Sequence, residues 1–133
     1  MMMVIVLFYF TFACEENDKG WKAGEKTHLA LNENANLKNT RFSIKFQELV
    51  EDSRCPSDAN CMDKGRVEVA VRTMDKLDTT GTFNLVLKES EPEKSSVILG
   101  DLKITLPGVL PFPSSQVTLP EEEYQIVVQA DKI

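Results

Sequence analysis

The chain reads as an all-β protein, and three observations carry that reading. Apolar and polar residues alternate with a period of two over residues 41–46, 66–72, 82–88, 102–106 and 124–128. At that spacing successive side chains leave opposite faces of a strand. Asn, Asp, Gly and Pro cluster between these stretches, where turns need them. No stretch of eleven residues carries the 3.6-residue repeat of an amphipathic helix. Six or seven short strands in about 105 residues predict an antiparallel β-sandwich, Ig-like in arrangement, with a small closed barrel as the alternative.

The first residues stand apart from this pattern. Residues 1–13, MMMVIVLFYFTFA, contain no charged side chain and run apolar from Met1 to Phe10. A spanning helix needs about 20 apolar residues, so the run is too short to cross a bilayer and suits the core of a signal peptide. Thr11, Phe12, Ala13 and Cys14 resemble a bacterial lipobox, with cleavage after Ala13. The resemblance implies a diacylglycerol on the Cys14 sulfur and an acylated amino group. Several acyl chains on one residue are what stable membrane attachment requires, since each buried CH₂ contributes only about 0.8 kcal/mol. The acidic residues that follow, Glu15 and Glu16, resemble the signal that marks surface-exposed lipoproteins in some Gram-negative lineages. Residues 14–24 then read as the acylated cysteine and a polar tether, and 25–133 as the folded domain.

Taken in order, residues 26–31 form a plausible first strand, and the asparagine-rich 32–36 reads as a turn. Phe42, Ile44 and Phe46 share one face of the next strand. Leu49 and Val50 break its alternation, which places a bulge near Glu48. Val67, Val69 and Val71 face the core from the strand after the cysteine pair. Phe83, Leu85 and Leu87 do the same after a turn at 78–81. Residues 97–99 make a short strand, and Leu102, Ile104 and Leu106 a longer one that Pro107 and Gly108 should end. Four of the six prolines fall in 107–120, which excludes a helix or a central strand there. Tyr124, Ile126 and Val128 face inward from the last strand.

Composition narrows the function classes. At 133 residues, 42% hydrophobic and 27% charged, the chain supports one globular domain with a real core. A net charge of −6 with no basic stripe argues against nucleic acid. Catalytic parts are missing as well. His28 is the one histidine, no G-x-S-x-G occurs, and nothing points to a cofactor. The expectation is a protein that is not an enzyme.

The richest stretch is 51–72, EDSRCPSDANCMDKGRVEVAVR. With three cysteines in an exported chain, lipidation of Cys14 leaves Cys55 and Cys61 as a pair, and an oxidising compartment permits their disulfide. A redox role would ask for C-x-x-C, and five residues separate these two. Pro56 pre-shapes the ring, Asp58 and Asn60 suit turn positions, and Gly65 supplies a positive φ on re-entry to the strand. Asp52, Ser53, Arg54, Cys55 and Pro56, then Cys61, Gly65 and alternating valines, resemble a family of small, mostly uncharacterised bacterial lipoproteins and secreted domains. The likeness runs loosely from Leu37 to Tyr124, although the Trp that many members carry near the position of Met62 or Asp63 is absent. It implies a fold and a compartment, the bacterial cell envelope, and no chemistry.

Three uses of this loop are open. Glu51, Asp52, Asp58, Asn60 and Asp63 put hard oxygens within thirteen residues, so calcium is an alternative to a site without metal. A rigid loop presenting Arg54 would suit a protease inhibitor. A surface-tethered binding module would present Asp52, Arg54, Asp58 and Asp63 together with an apolar patch at Leu110 and Phe112 to a protein or a glycan. Against all three stands an envelope lipoprotein whose loops merely close the sandwich, with Phe112 buried beneath them and with Asp52 and Arg54 fixing the loop by hydrogen bonds to backbone or to each other.

Overall fold

Alternation in the sequence becomes pairing in space. The structure, a computed structural model, describes residues 18–76 and 78–133. The signal peptide expected over 1–13, the lipidation expected at Cys14 and the acidic residues Glu15 and Glu16 lie outside them. The described residues form nine strands: β1 Asp18–Trp21, β2 Lys26–Ala30, β3 Asn34–Leu37, β4 Phe42–Asp52, β5 Val67–Asp75, β6 Asp78–Leu87, β7 Ser96–Leu99, β8 Leu102–Leu110 and β9 Gln125–Lys132. One sheet has the order β1-β3-β4-β5-β6 and the other β2-β9-β8-β7. They pack face to face as a β-sandwich and not as one closed barrel. All neighbours are antiparallel except β1 and β3, which run parallel at one edge.

The core is the sum of the inward faces. Ile44, Phe46, Val67, Val69, Val71 and Leu85 point in from the larger sheet and are almost wholly buried. Leu29, Leu102, Ile104, Leu106, Ile126 and Val128 meet them from the smaller one. Each such side chain contributes about 1.5–3 kcal/mol by leaving water, so the period of two is what fixes which edge of each strand faces which sheet. Val127 is half-buried on β9, an inner strand between β2 and β8. The bulge expected near Glu48 is present as register slips between Phe46 and Glu48 and between Leu49 and Glu51.

Four local expectations are corrected, each for a physical reason. The stretch 15–24, expected to be a tether, contributes β1, and the buried Trp21 explains why. Its indole N–H donates to the Glu25 carbonyl at 2.7 Å, and its own carbonyl accepts from the Lys38 N–H at 2.7 Å. One large aromatic outweighs the polar composition around it, so the folded domain begins before residue 25. The turn expected over 32–36 is confined to its start, where Asn32 has φ +65°, and β3 follows with Ala35 and Leu37 buried. The turn expected over 78–81 lies earlier, since Asp75 and Asp78 already face each other across β5 and β6. Pro107 and Gly108 do not end β8. A slip between Thr105 and Gly108 gives Pro107 a bulge, and β7 reaches only as far as Thr105. The proline therefore withholds no N–H that a neighbouring strand needs.

His28, the one histidine, is on the outer face of β2 and exposed.

Candidate functional site

Asp52 ends β4 and Val67 begins β5, directly opposite each other, so the intervening loop leaves the sandwich as a closed hairpin. Its base is laced by backbone. The Ser53 N–H donates to the Arg66 carbonyl at 2.8 Å, and the Cys55 N–H to the Lys64 carbonyl at 2.9 Å. Cys55 and Cys61 are joined as a disulfide with their Cα atoms 5.9 Å apart. Asp63 accepts from the Gly65 N–H at 3.0 Å, and Arg66 pairs with Glu51 at 2.8 Å. Closing so short a ring stabilises by roughly 2 kcal/mol on the chain-entropy view. Cys55→Ser should therefore lower the melting temperature by several degrees, read by circular dichroism, and wild type should fall to the same value when reductant is added.

The second layer is an ionic knot that the loop shares with the end of β8. The Arg54 Nε donates to Asp52 Oδ1 at 2.8 Å and its Nη2 to Asp52 Oδ2 at 2.9 Å, a two-point pair. The same guanidinium donates to the Val109 carbonyl at 2.7 Å and to the Pro111 carbonyl at 2.9 Å. The Tyr124 hydroxyl donates to Asp52 Oδ2 at 3.0 Å. The two side chains are 9% and 6% exposed. Burial pushes the Asp52 carboxyl upward, but the hydrogen bonds and charge of Arg54, with help from Tyr124, hold it below the usual carboxylate value. Burial and the bond to Asp52 push the Tyr124 hydroxyl up.

A third set of contacts ties the tip of the loop to the proline-rich segment. The Ser57 N–H donates to the Pro113 carbonyl at 3.0 Å. The Ser115 N–H donates to Asp58 Oδ1 at 3.0 Å, and its hydroxyl donates to Asp58 Oδ2. Both bonds from Ser115 lower the Asp58 carboxyl. The Leu110–Pro111 bond is cis, and Phe112, just after it, lies over the knot. Its ring centre lies 5.0 Å from the Arg54 guanidinium carbon. The ring is nonetheless 62% exposed, and Leu110 at 38% and Val117 at 58% are exposed apolar side chains of the same segment. Met62, in the loop, is fully exposed and lines a groove of about 420 Å³ with Asp63, Lys64 and Gly65 on one side and Lys88 and Glu89 on the other.

Of the residues singled out in the sequence, Asp52, Arg54, Asp58, Leu110 and Phe112 thus meet at one end of the sandwich, and Asp63 faces the adjoining groove. The calcium alternative does not assemble: Asp52 lies under Arg54, Asp58 binds Ser115, and Asp63 caps Gly65. Among the described residues no three His, Cys, Asp or Glu side chains converge as a metal site. Arg54 faces inward and is 9% exposed, so the arginine offered to a protease in the sequence reading is not presented at the surface. Sequence reading missed the partners. Tyr124 was legible only as an inward strand residue, and nothing local marks Ser115 as the mate of Asp58. Glu121, whose carboxylate accepts from the Leu49 N–H at 2.8 Å on the open edge of β4, carries no motif either. Comparison of the chain with protein-family models, with curated proteins and with solved structures finds no match.

Proposed function

We propose that this protein is a non-enzymatic lipoprotein of the bacterial cell envelope, anchored through Cys14, whose disulfide-braced loop end binds a protein or a glycan. The observation that carries the binding reading is Phe112. A ring held in place by a nearly buried guanidinium, yet 62% exposed, is an apolar contact fixed at the surface. A loop that only closed the sandwich would have that ring beneath it. The lipobox-like Thr11–Cys14 stretch and the likeness around Asp52–Pro56 support the compartment, the outer membrane or cell surface of a Gram-negative bacterium. The disulfide fits an oxidising space.

Two measurements test the proposal. Cys14→Ser should move the full chain from the membrane to the soluble fraction, and retention in the membrane would remove the anchor. A photo-crosslinking residue at position 112 should give discrete adducts in the cells that make the protein, while the same residue at the exposed Lys38, on β3's far turn, should not. Equal or absent adducts at both positions would leave a purely structural envelope protein.

A further inference from the structure

The charges around the exposed ring show what kind of surface would fit it. Arg54 is engaged with Asp52, Lys64 pairs with Glu89 at 3.1 Å, and Arg66 pairs with Glu51 at 2.8 Å. Each cation of the loop therefore has an acidic mate within the chain. The carboxylates are not matched in the same way. Among the described residues, Asp58 accepts from the Ser115 hydroxyl and N–H, and Asp63 from the Gly65 N–H. Glu121, Glu122 and Glu123 form an exposed 3₁₀ turn with no basic residue. That turn lies at the same end: Glu121 holds Leu49 on β4, and Tyr124, next along the chain, reaches the Asp52 that Arg54 holds under Phe112. The result is an exposed aromatic ring, with the exposed Leu110 two residues before it, at an end of the sandwich that also carries these carboxylates.

We infer that the loop end docks a basic segment of a partner protein, in which Lys or Arg residues flank an aliphatic or aromatic side chain. This rests on the reading of that end as a binding surface and names the partner's chemistry. The apolar residue sits against Phe112 and Leu110, and the flanking cations meet Asp58 and the Glu121–Glu123 turn. Complementary charge of this kind speeds encounter and rejects wrong partners more than it adds affinity. A bilayer with anionic headgroups would be repelled by the same carboxylates, and a neutral glycan would draw nothing from them.

The test uses the full chain in detergent micelles, immobilised and panned against a random short-peptide library. The expected selection is peptides with Lys or Arg on either side of a large apolar residue. Their binding should weaken about tenfold or more, a loss of roughly 1.4 kcal/mol, in Phe112→Ser and in the double variant Glu122→Lys, Glu123→Lys. It should also fall as salt is raised to about 0.5 M. The double variant touches only exposed side chains, so it keeps the fold if Phe112→Ser does not; circular dichroism checks both. Peptides without basic residues that are lost in Phe112→Ser but indifferent to the double variant would overturn the basic partner and leave the binding end intact. Basic peptides indifferent to Phe112, or no enrichment at all, would overturn both.

Discussion

Arg54→Ala is expected to destabilise the protein by about 3–5 kcal/mol, the range for removing one partner of a buried ion pair. Four acceptors depend on that one guanidinium: both oxygens of Asp52 and the carbonyls of Val109 and Pro111. Truncation strands the Asp52 charge with Tyr124 as its remaining side-chain donor, in a site where Asp52 is only 6% exposed. It also removes the cation beneath Phe112. Arg54→Lys should recover little, because an ammonium cannot reach a carboxylate and two carbonyls in the fixed geometry of a planar fork. Removing both charges, Asp52→Ala with Arg54→Ala, should cost less than the sum of the single changes, since no lone charge is left buried. Urea unfolding gives all four values. A loss below about 1 kcal/mol for Arg54→Ala, the level of a surface pair, would show that the knot does not hold the loop end.

The same pair sets a pH dependence. Asp52 is held below its ordinary value of 3.8 in the folded state, so the unfolded chain binds its proton first as pH falls. The stability that the pair contributes is therefore fully present above about pH 3.8 and is lost as pH drops through the lower folded value. In Arg54→Ala the guanidinium's share of that lowering is lost, and burial is opposed only by the Tyr124 hydroxyl and the residue-54 N–H. The carboxyl therefore titrates higher than in wild type, and the variant gains relative to wild type in acid. The gap between the two should narrow below about pH 4 and be widest at neutral pH.

How much of this was legible in the sequence depends on the range of the interaction. The inward faces of β4, β5, β6 and β9 were readable because each alternation is local and burial enforces it. The bulge at Glu48 was readable for the same reason, as a break in a local period. Disulfide and Gly65 sit within one hairpin, so spacing revealed them. The Asp52–Arg54 pair was readable as two loop residues bonded to each other or to backbone, but the rest of the knot was not. Arg54 and Asp52 are two residues apart, but what makes the pair consequential lies 55 and 57 residues on, at Val109 and Pro111, and 72 residues beyond Asp52, at Tyr124. No local pattern encodes such partners, and backbone carbonyls leave no mark in composition. Composition misled at β1 and β3, where Asn, Gly and Lys residues signalled loop while Trp21, Ala35 and Leu37 reached the core. Short edge strands carry too few alternations to outweigh their turn residues.

Gly65→Ala should be about as damaging as the loss of Arg54, through backbone and not charge. Gly65 has φ +70°, and a Cβ built there would lie 1.9 Å from the Ser53 carbonyl oxygen and 3.1 Å from the Arg54 Cα. The left-handed conformation alone costs a non-glycine residue roughly 1 kcal/mol. The overlap cannot be relieved by a side chain swinging away, because Ser53 is backbone and is itself bonded to Arg66. Either β4 and β5 part at their ends, or Gly65 leaves its conformation and the Cys55–Lys64 bond breaks with it. A total near 3 kcal/mol or more follows, as for strain that the surroundings cannot absorb. Gly24→Ala is the control: its φ is +88° but nothing lies within 4 Å of the added carbon, so only the conformational part applies. Thermal unfolding of the two variants separates the terms, and a difference under about 1 kcal/mol would mean that the approach to Ser53 is unimportant. Since the displaced backbone carries Arg54, Gly65→Ala should also loosen Phe112, so that a crosslinker at position 112 loses its discrete adducts even though no residue of the exposed patch has been changed.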